Sequence, residues 1–213
     1  MRNKPIKIVC ISDTHRQHWK MDIPDGDILL YAGDAELDSY DAIKDFNYWL
    51  STLNFKHIVV IGGNHDTVLT KYTMEEKEMF FSNAIYLENT SVQIEGIKIF
   101  GSPYSLKFFS WTFMKSEEQL EQIWELIPKS TDIILTHAPC RNILDVTTTT
   151  GEHCGSISLR DKIKELHPRI HVCGHLHSAH GKYTDYKTDY YNVSMLNDHY
   201  KHIFEPTVIY YEK

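Results

Sequence analysis

Five short polar clusters, spread from residue 13 to residue 177, each follow a run of apolar and β-branched residues. The runs and their clusters are, in chain order, IKIVCIS with Asp13-Thr14-His15, DILLYAG with Asp34, HIVVIGG with Asn64-His65-Asp66, DIILT with His137, and RIHVCG with His175-Leu176-His177. Such runs predict buried β-strands. The ends of neighbouring strands in α/β proteins meet in a crevice, where active sites usually lie. A strand that ends in a metal-type ligand, five times in one chain, is hard to explain by packing.

The pattern between these runs indicates the fold class. Four stretches have helical periodicity or helix signals: residues 38–53, 68–82, 116–126 and 156–166, the last with Ser156 as a candidate N-cap. Alternating strands and helices in the first half predict parallel strands with crossover helices. In the middle, AIYLEN, SVQIEG and KIFGSPY predict short antiparallel hairpins, and the C-terminal stretches are strand-like. We therefore expect an α/β fold: a four-layer αββα sandwich of two mixed β-sheets flanked by helices.

Composition narrows the classes of protein that the chain can belong to. With 213 residues and no linker or internal repeat, we expect a single domain over residues 1–213 without a cap domain. The net charge of −7 argues against a protein that grips an extended nucleic acid, which would favour a basic face. The apolar stretches are too short for a transmembrane helix, and the scattered cysteines form no CxxC pair. We expect a cytoplasmic protein that does not insert into a membrane.

The clusters contain the groups that hydrolysis of a phosphate ester requires. Two divalent ions about 3.5–4 Å apart can clamp phosphoryl oxygens and activate water, and a further acid can protonate the leaving oxygen. Asp13 and His15 are separated by one residue, and Gly33 before Asp34 allows a close approach of backbone and metal. Alone, each of these signals also fits a turn residue or an ordinary exposed histidine. All five in one chain point to a dinuclear metal site.

The order D-x-H, G-D, G-N-H-D, H and G-H-x-H resembles the pattern of the calcineurin-like metallophosphoesterase superfamily. The flanking segments SDTH, GDILLYAGD, IVVIGGNHD, DIILTHAPC and GEHCGSISL resemble its small metallophosphoesterase domain-containing branch of cyclic-nucleotide phosphodiesterase-like proteins most closely. The resemblance implies seven ligands: Asp13, His15, Asp34 and His177 for one metal, and Asp34 (bridging), Asn64, His137 and His175 for the other. It implies that a hydroxide between the metals attacks phosphorus, while His65 protonates the leaving group and Asp66 orients its ring.

The same resemblance implies cofactors and a class of substrate. Two divalent ions are expected, with Mn²⁺ as the first choice, and Fe, Zn²⁺, Co²⁺ or Ni²⁺ also suit the mixed ligands. The expected partner is a small phosphodiester or nucleotide such as cAMP or cGMP. Alternatives within the superfamily are a phosphomonoesterase, a protein phosphatase or a nuclease. A metal-poor scaffold for protein binding is the non-enzyme alternative, although such relatives generally lose ligands and this chain has all of them. The sequence leaves the oligomeric state open.

Candidate substrate residues lie outside the ligand motifs. An aromatic run follows GSPYS; it predicts either a loop packed on the second sheet or an apolar wall for a planar group. Resemblance favours Tyr104 and Trp111 for the wall. His153 precedes a helix between two ligand strands, and Asn192 is a candidate for supporting the metal ligands. The four threonines Thr147 to Thr150 lack a Walker pattern, which predicts a solvated loop.

Overall fold

The structure is a computed structural model that describes residues 4–212. The strands are β1 (Ile6–Ile11), β2 (Gly26–Ala32), β3 (Phe55–Ile61), β4 (Ile85–Tyr86), β5 (Thr90–Ile94), β6 (Ile97–Ser102), β7 (Ser105–Leu106), β8 (Met114–Lys115), β9 (Ile133–Thr136), β10 (Ile170–Cys173), β11 (Gly181–Thr184), β12 (Asp189–Asn192) and β13 (Thr207–Tyr211). The α-helices are α1 (Tyr40–Ser51), α2 (Met74–Phe80), α3 (Glu117–Trp124) and α4 (Ile157–Leu166).

Eleven of these strands form two mixed sheets. The first sheet has the order β13-β1-β2-β3-β4, in which β1 to β4 are parallel and β13 is antiparallel to β1. The second has the order β11-β12-β10-β9-β6-β5, with a parallel centre from β12 to β6 and antiparallel edges. In each sheet, parallel strands therefore end at a common edge, which is where the polar clusters follow them.

Three apolar layers hold the two sheets and the helices together. Successive side chains of a strand point to opposite faces, so Ile8 and Cys10 of β1 pack against the second sheet while Val9 and Ile11 pack under α1. A third layer joins α3 and α4 to the outer face of the second sheet through residues such as Trp124. Burying a large apolar side chain contributes about 1.5–3 kcal/mol. The layering confirms the expected αββα sandwich.

The helices begin at side-chain caps that the sequence contains. Ser39, Thr73, Ser116 and Ser156 each accept a hydrogen bond from a backbone N–H in the first turn of the following helix. The cap at Thr73 corrects one expectation. Residues 68–82 do not form one helix, because a short 3₁₀ turn (Thr67–Lys71) ends before Thr73 and its capping box with Glu76 starts α2.

The strand pairing also departs from expectation in the middle of the chain. β5 and β6 form the predicted antiparallel hairpin. β4, however, pairs in parallel with β3 and so belongs to the first sheet, because the chain crosses between the sheets after it. The aromatic run lies between β7 and β8, a separate two-stranded pair.

The described part of the chain, residues 4–212, contains no helix with the length and apolar character required to cross a membrane.

Candidate metal centre

Seven side chains converge where strands of both sheets end. Asp13 and His15 follow β1, Asp34 follows β2, Asn64 follows β3, His137 follows β9, and His175 and His177 follow β10. We call these seven residues the ligand crevice. The sequence predicted this set, and the structure brings all of it together.

Unusual backbone conformations aim several of these side chains. Asp13, His15, Asp34 and His175 have φ values of 55°, 40°, 58° and 68°. Non-glycine residues rarely adopt this left-handed region, and such strain persists only where the surrounding structure holds it in place. Four strained residues in a set of seven indicate that the positions of the side chains matter more than local backbone energy.

The first group of candidate ligands consists of Asp13, His15 and His177, whose ligand atoms lie within 4.8 Å of one another. Nε2 of His15 lies 3.2 Å from Nε2 of His177, which is 3.5 Å from Oδ1 of Asp13. The ring of His177 is oriented by a hydrogen bond between its Nδ1 and the carbonyl oxygen of Asn197 (3.1 Å), so that Nε2 faces the group.

Asp13 is fully buried and is held by several hydrogen bonds. Its carboxylate accepts hydrogen bonds from the hydroxyls of Ser12 and Ser194 and from the backbone N–H of His175. Burial favours the protonated carboxyl, yet the hydrogen bond with His177 and the charges of the neighbouring histidines lower the pKa of Asp13. A charged carboxylate at this depth is suited to a cation.

The second group consists of Asp34, His137 and His175, again within 4.8 Å, with Asn64 beside them. Nε2 of His137 lies 3.2 Å from Oδ2 of Asp34 and 2.9 Å from Oδ1 of Asn64. Oδ2 of Asp34 is also 4.0 Å from Nε2 of His15 in the first group. Asp34 therefore lies between the two groups, as a bridging ligand must.

The contacts around His137 call for a positive charge, either a proton on its Nε2 or a metal ion. Its Nδ1 lies 2.8 Å from the carbonyl oxygen of Ala32, which can only accept a hydrogen bond. With the Nδ1 proton used there, Nε2 presents a lone pair to the oxygens of Asn64 and Asp34. Three electron-pair donors facing one another require a proton or a metal ion between them. The donor set of imidazole, carboxylate and amide oxygen fits divalent transition metals.

The pKa values of the histidines describe the same competition between proton and metal. Burial lowers the pKa of His15 and of His175 to about 4, so both rings are neutral near pH 7 and can act as ligands. Burial opposes a charge on His137 as well, but Asp34 raises its pKa to about 9. Burial opposes a charge on Asp34 too, and His137 lowers its pKa to about 2. A metal that binds His137 must displace a proton.

Glycine is required where the two halves of the second group approach. A Cβ atom on Gly63 would lie 2.7 Å from the backbone nitrogen of Asp34 and 2.7 Å from Cε1 of His137. Real Cβ atoms are not found this close to other atoms. The GGN segment therefore lets Asn64 come close to Asp34 and His137.

His65 and Asp66 have different environments, although they are adjacent in the sequence. The His65 ring lies edge-on to His15 at 5.0 Å and tilted against Trp111 at 5.1 Å, at the surface of a cleft. Its backbone N–H donates to Oδ1 of Asp34. This places the imidazole beside the ligand crevice, within the cleft.

Asp66, which the sequence predicted to orient the His65 ring, binds backbone groups. Its two carboxylate oxygens accept hydrogen bonds from the backbone N–H groups of Asp34, Leu37 and Gly63 at 2.8–2.9 Å. It fixes the loops after β2 and β3 to each other instead. Burial and the neighbouring charge of Asp34 raise the pKa of Asp66 to about 7.

A cleft of about 210 Å³ lies over the crevice. Besides ligands and His65, it is lined by residues that we call the cleft rim: Trp111, Thr147, Thr148, Thr149, Leu176, Ser178, Asp198 and Tyr200. Thr148 and Thr149 lie exposed on a loop, as predicted, and Thr147 to Thr149 also line the cleft. Asp198 and Tyr200 were not predicted at all, and no motif in the sequence marks them.

The structure places only one of three candidate substrate residues in the cleft. Trp111 lines the cleft and is 43% exposed. Tyr104 instead packs against Phe113 at 5.4 Å, and Nδ1 of His153 lies 2.7 Å from Oδ1 of buried Asp145. Neither of them lines the cleft that the described residues form.

Asn192 is buried and supports the last ligand segment. Its side-chain amide donates hydrogen bonds to the carbonyl oxygens of Gly174 (3.1 Å) and Leu176 (3.0 Å). The end of β12 thus fixes the loop that carries His175 and His177.

Comparisons with known proteins agree with this arrangement. The family model of calcineurin-like phosphoesterases matches residues 6–179. Human metallophosphoesterase domain-containing protein 1 is 32% identical over an alignment covering 95% of this chain and 70% of that protein. UPF0046 protein T07D4.2 of Caenorhabditis elegans is 34% identical, over 95% of this chain and 59% of its own length. The crystal structure of TT1561 of Thermus thermophilus shares the fold, with a TM-score of 0.59 and 14% identity over 97% of this chain and 99% of that one.

With these matches, the layered fold and the two ligand groups define a metal-dependent hydrolase of phosphoric esters. The chain belongs to the calcineurin-like phosphoesterase family.

Proposed function

We propose that the protein is a phosphodiesterase that hydrolyses small diesters, with 3′,5′-cyclic nucleotides such as cAMP and cGMP as the substrate class. The observation that supports a diester is the charge of the cleft. Among the described residues, no lysine or arginine lines it, and the rim adds the carboxylate of Asp198. A phosphodiester carries one negative charge and a monoester carries up to two. A cleft without side-chain cations therefore favours the diester.

The residues that would hold the metals are those of the two groups. Asp13, His15 and His177 would bind one ion, and Asn64, His137 and His175 the other, with Asp34 shared. Divalent ions bound there would supply an activated water and neutralise the charge that develops on the phosphoryl oxygens. Mn²⁺ is the ion we propose, and Fe, Zn²⁺, Co²⁺ and Ni²⁺ also fit these donors.

His65 is proposed as the proton donor. Its ring is in the cleft, beside His15 of the first group, and its backbone N–H to Asp34 fixes its position relative to the second. When the bond from phosphorus to the leaving oxygen breaks, the electron pair stays on that oxygen. The protonated imidazole then donates its proton to it, and the neutral ring remains.

Trp111 is proposed as the wall for the organic part of the substrate. Its ring lies next to His65 and is partly exposed to the cleft. A leaving group protonated by His65 would therefore lie near an aromatic face, on which a purine or another planar group can stack. This arrangement supports a nucleotide.

Turnover by Mn²⁺-loaded protein tests the proposal. We expect hydrolysis of bis-p-nitrophenyl phosphate and of 3′,5′-cAMP or 3′,5′-cGMP, with little on p-nitrophenyl phosphate, and 2′,3′-cAMP shows which cyclic isomer is preferred. Activity on the monoester alone would establish a phosphomonoesterase instead. Metal-loaded protein that is inactive on every diester would contradict the proposal.

A further inference from the structure

One wall of the cleft is a hairpin that begins at Asp145. Val146 and His153 form an antiparallel bridge, and the backbone N–H of Thr147 donates to the carbonyl oxygen of Glu152 at 3.0 Å. At its base, buried Asp145 contacts Nδ1 of His153 at 2.7 Å and accepts the N–H of Gly155 at 3.1 Å. The threonines at its tip are therefore held over the cleft by a structured base.

Asp198 joins this hairpin to the ligand crevice. Its Oδ2 accepts a hydrogen bond from the hydroxyl of Thr148 at 2.5 Å, and its Oδ1 accepts the backbone N–H of Ser178 at 3.2 Å. Ser178 directly follows the candidate ligand His177. The carboxylate is thus fixed at a defined place beside the first ligand group.

The segment around Asp198 is itself fixed at several points. The carbonyl oxygen of Asn197 is in contact with Nδ1 of His177, and Oδ1 of Asn197 accepts the N–H groups of His199 and Lys201 at 3.0 Å. The side-chain amide of Gln17 donates to the carbonyl oxygen of Tyr200 at 2.9 Å. These bonds hold Tyr200 at a φ of 57°, with its ring edge-on to His15 and His177.

A series of contacts leads from Trp111 to the hairpin by way of the first ligand group. Trp111 touches His65, His65 touches His15, His15 touches His177, and Ser178 binds Asp198, which binds Thr148. An ester bound at the crevice would therefore have the aromatic face of Trp111 on one side. On the other side it would have the carboxylate of Asp198 and the hydroxyls of the hairpin tip.

The chemistry of this second end selects what can bind there. A carboxylate offers about four acceptor positions, and Asp198 uses one on each oxygen for Thr148 and Ser178. The remaining positions accept O–H or N–H groups and repel a second phosphate. Because Thr148 gives its hydroxyl proton to Asp198, its oxygen also offers only a lone pair, so this end of the cleft binds hydrogen-bond donors. In the substrate class of the proposed function, the donor next to the phosphate is a sugar hydroxyl.

We propose that Asp198, together with the hairpin tip Thr147 to Thr149, is a specificity subsite that accepts a hydrogen bond from a sugar hydroxyl of the diester. In a 3′,5′-cyclic nucleotide the free sugar hydroxyl is the 2′-hydroxyl. This inference rests on the proposed function. It predicts that the protein distinguishes ribose from deoxyribose.

The test measures binding, so that it does not depend on turnover. Mn²⁺-loaded protein carrying His65→Ala, which slows hydrolysis, is titrated calorimetrically with 3′,5′-cAMP and with 2′-deoxy-3′,5′-cAMP. A hydrogen bond to a charged acceptor corresponds to about tenfold or more in affinity, so we expect the ribose form to bind at least tenfold more tightly. Adding Asp198→Ala should bring the ratio of the two affinities close to one.

Two further variants separate recognition from a structural effect. Thr148→Val removes the bond to the hairpin but keeps the carboxylate, so it should reduce the ratio less than Asp198→Ala does. Asp161→Ala, at an exposed carboxylate of α4 that pairs with Arg160, should change neither. Equal affinity for the two nucleotides, a ratio that survives Asp198→Ala, or no binding of either one would overturn the subsite. Turnover of bis-p-nitrophenyl phosphate by the unmodified protein tests the diesterase separately.

Discussion

The ligand crevice and the cleft rim are neighbours, yet the protein builds them in opposite ways. In the crevice, Asp13 and His137 are fully buried, directly follow buried strands, and are held by backbone or short side-chain hydrogen bonds. On the rim, Trp111 and Thr148 lie exposed on loops, and Thr148 is held by a residue fifty positions away, Asp198. The difference suggests a division of labour, in which the crevice determines the reaction and the rim determines which ester reaches it. If this is correct, changes in the crevice should abolish activity and changes in the rim should alter preference.

The largest effect is expected for Asp34→Asn, which tests whether the crevice depends on its shared carboxylate. Asparagine keeps the shape but removes the charge that lies between the two ligand groups. We expect metal content to fall and turnover of bis-p-nitrophenyl phosphate to drop about 10³-fold or more, since the metals contribute several kcal/mol to the transition state. Elemental analysis with the rate assay measures both.

The matched control for this change is Asp38→Asn, at an exposed aspartate that pairs with Arg16. It should keep both metal and rate. An Asp34→Asn protein with full metal content would show that the carboxylate is not the bridge.

A smaller effect is expected for His65→Ala, which removes the proposed proton donor beside the crevice and leaves the proposed ligands in place. Metal content should stay unchanged, and turnover should fall about 10²–10⁴-fold, the usual contribution of general acid catalysis. The loss should be greater for a cyclic nucleotide than for bis-p-nitrophenyl phosphate, because nitrophenolate leaves readily without a proton.

His57→Ala, at a partly exposed histidine of β3, provides the control with normal rates and metal content. Loss of metal from His65→Ala, or an equal loss with both leaving groups, would contradict the role of proton donor.

The smallest effect is expected for Trp111→Ala, which tests the rim alone. If Trp111 stacks on the base, its removal should cost roughly 1–3 kcal/mol, or about 5- to 150-fold, in kcat/KM for a cyclic nucleotide. Most of this should appear in KM, and an aliphatic cyclic phosphodiester without a base should lose much less.

Trp19→Ala removes a similarly exposed tryptophan that packs on His18 and Tyr48 instead. It should leave both substrates unaffected. A fall in kcat for both esters after Trp111→Ala would mean that Trp111 acts on His65 and not on the substrate.

The crevice could be predicted from sequence because its geometry follows from the strands. Parallel strands that end at one edge bring together whatever follows them, so the residues after β1, β2 and β3 must be neighbours. The second sheet supplies His137 and His175. Their place in the same crevice was inferred from the order of the motifs.

The rim could not be predicted in the same way. That the exposed loop of Thr147 to Thr149 lines the cleft could not be inferred, because Asp198, which binds Thr148, is distant in the sequence and belongs to no motif. Two features of the fold also could not be predicted. Residues 68–82 divide into a 3₁₀ turn and a helix because Thr73 caps the helix. β4 joins the first sheet because it pairs with β3, a tertiary contact that the local alternation of residues does not encode.

The hydrogen bonds of Asp13 have a consequence for biosynthesis. A ribosome delivers Asp13 and His15 early, but His177, Ser194 and Asn197, which complete and support their group, emerge only after most of the chain. During translation Asp13 therefore lacks its partners from the end of the chain, and the first group cannot be complete before residue 177 has left the ribosome. Metal loading at that group would then be a late step of maturation that follows the arrangement of the two sheets.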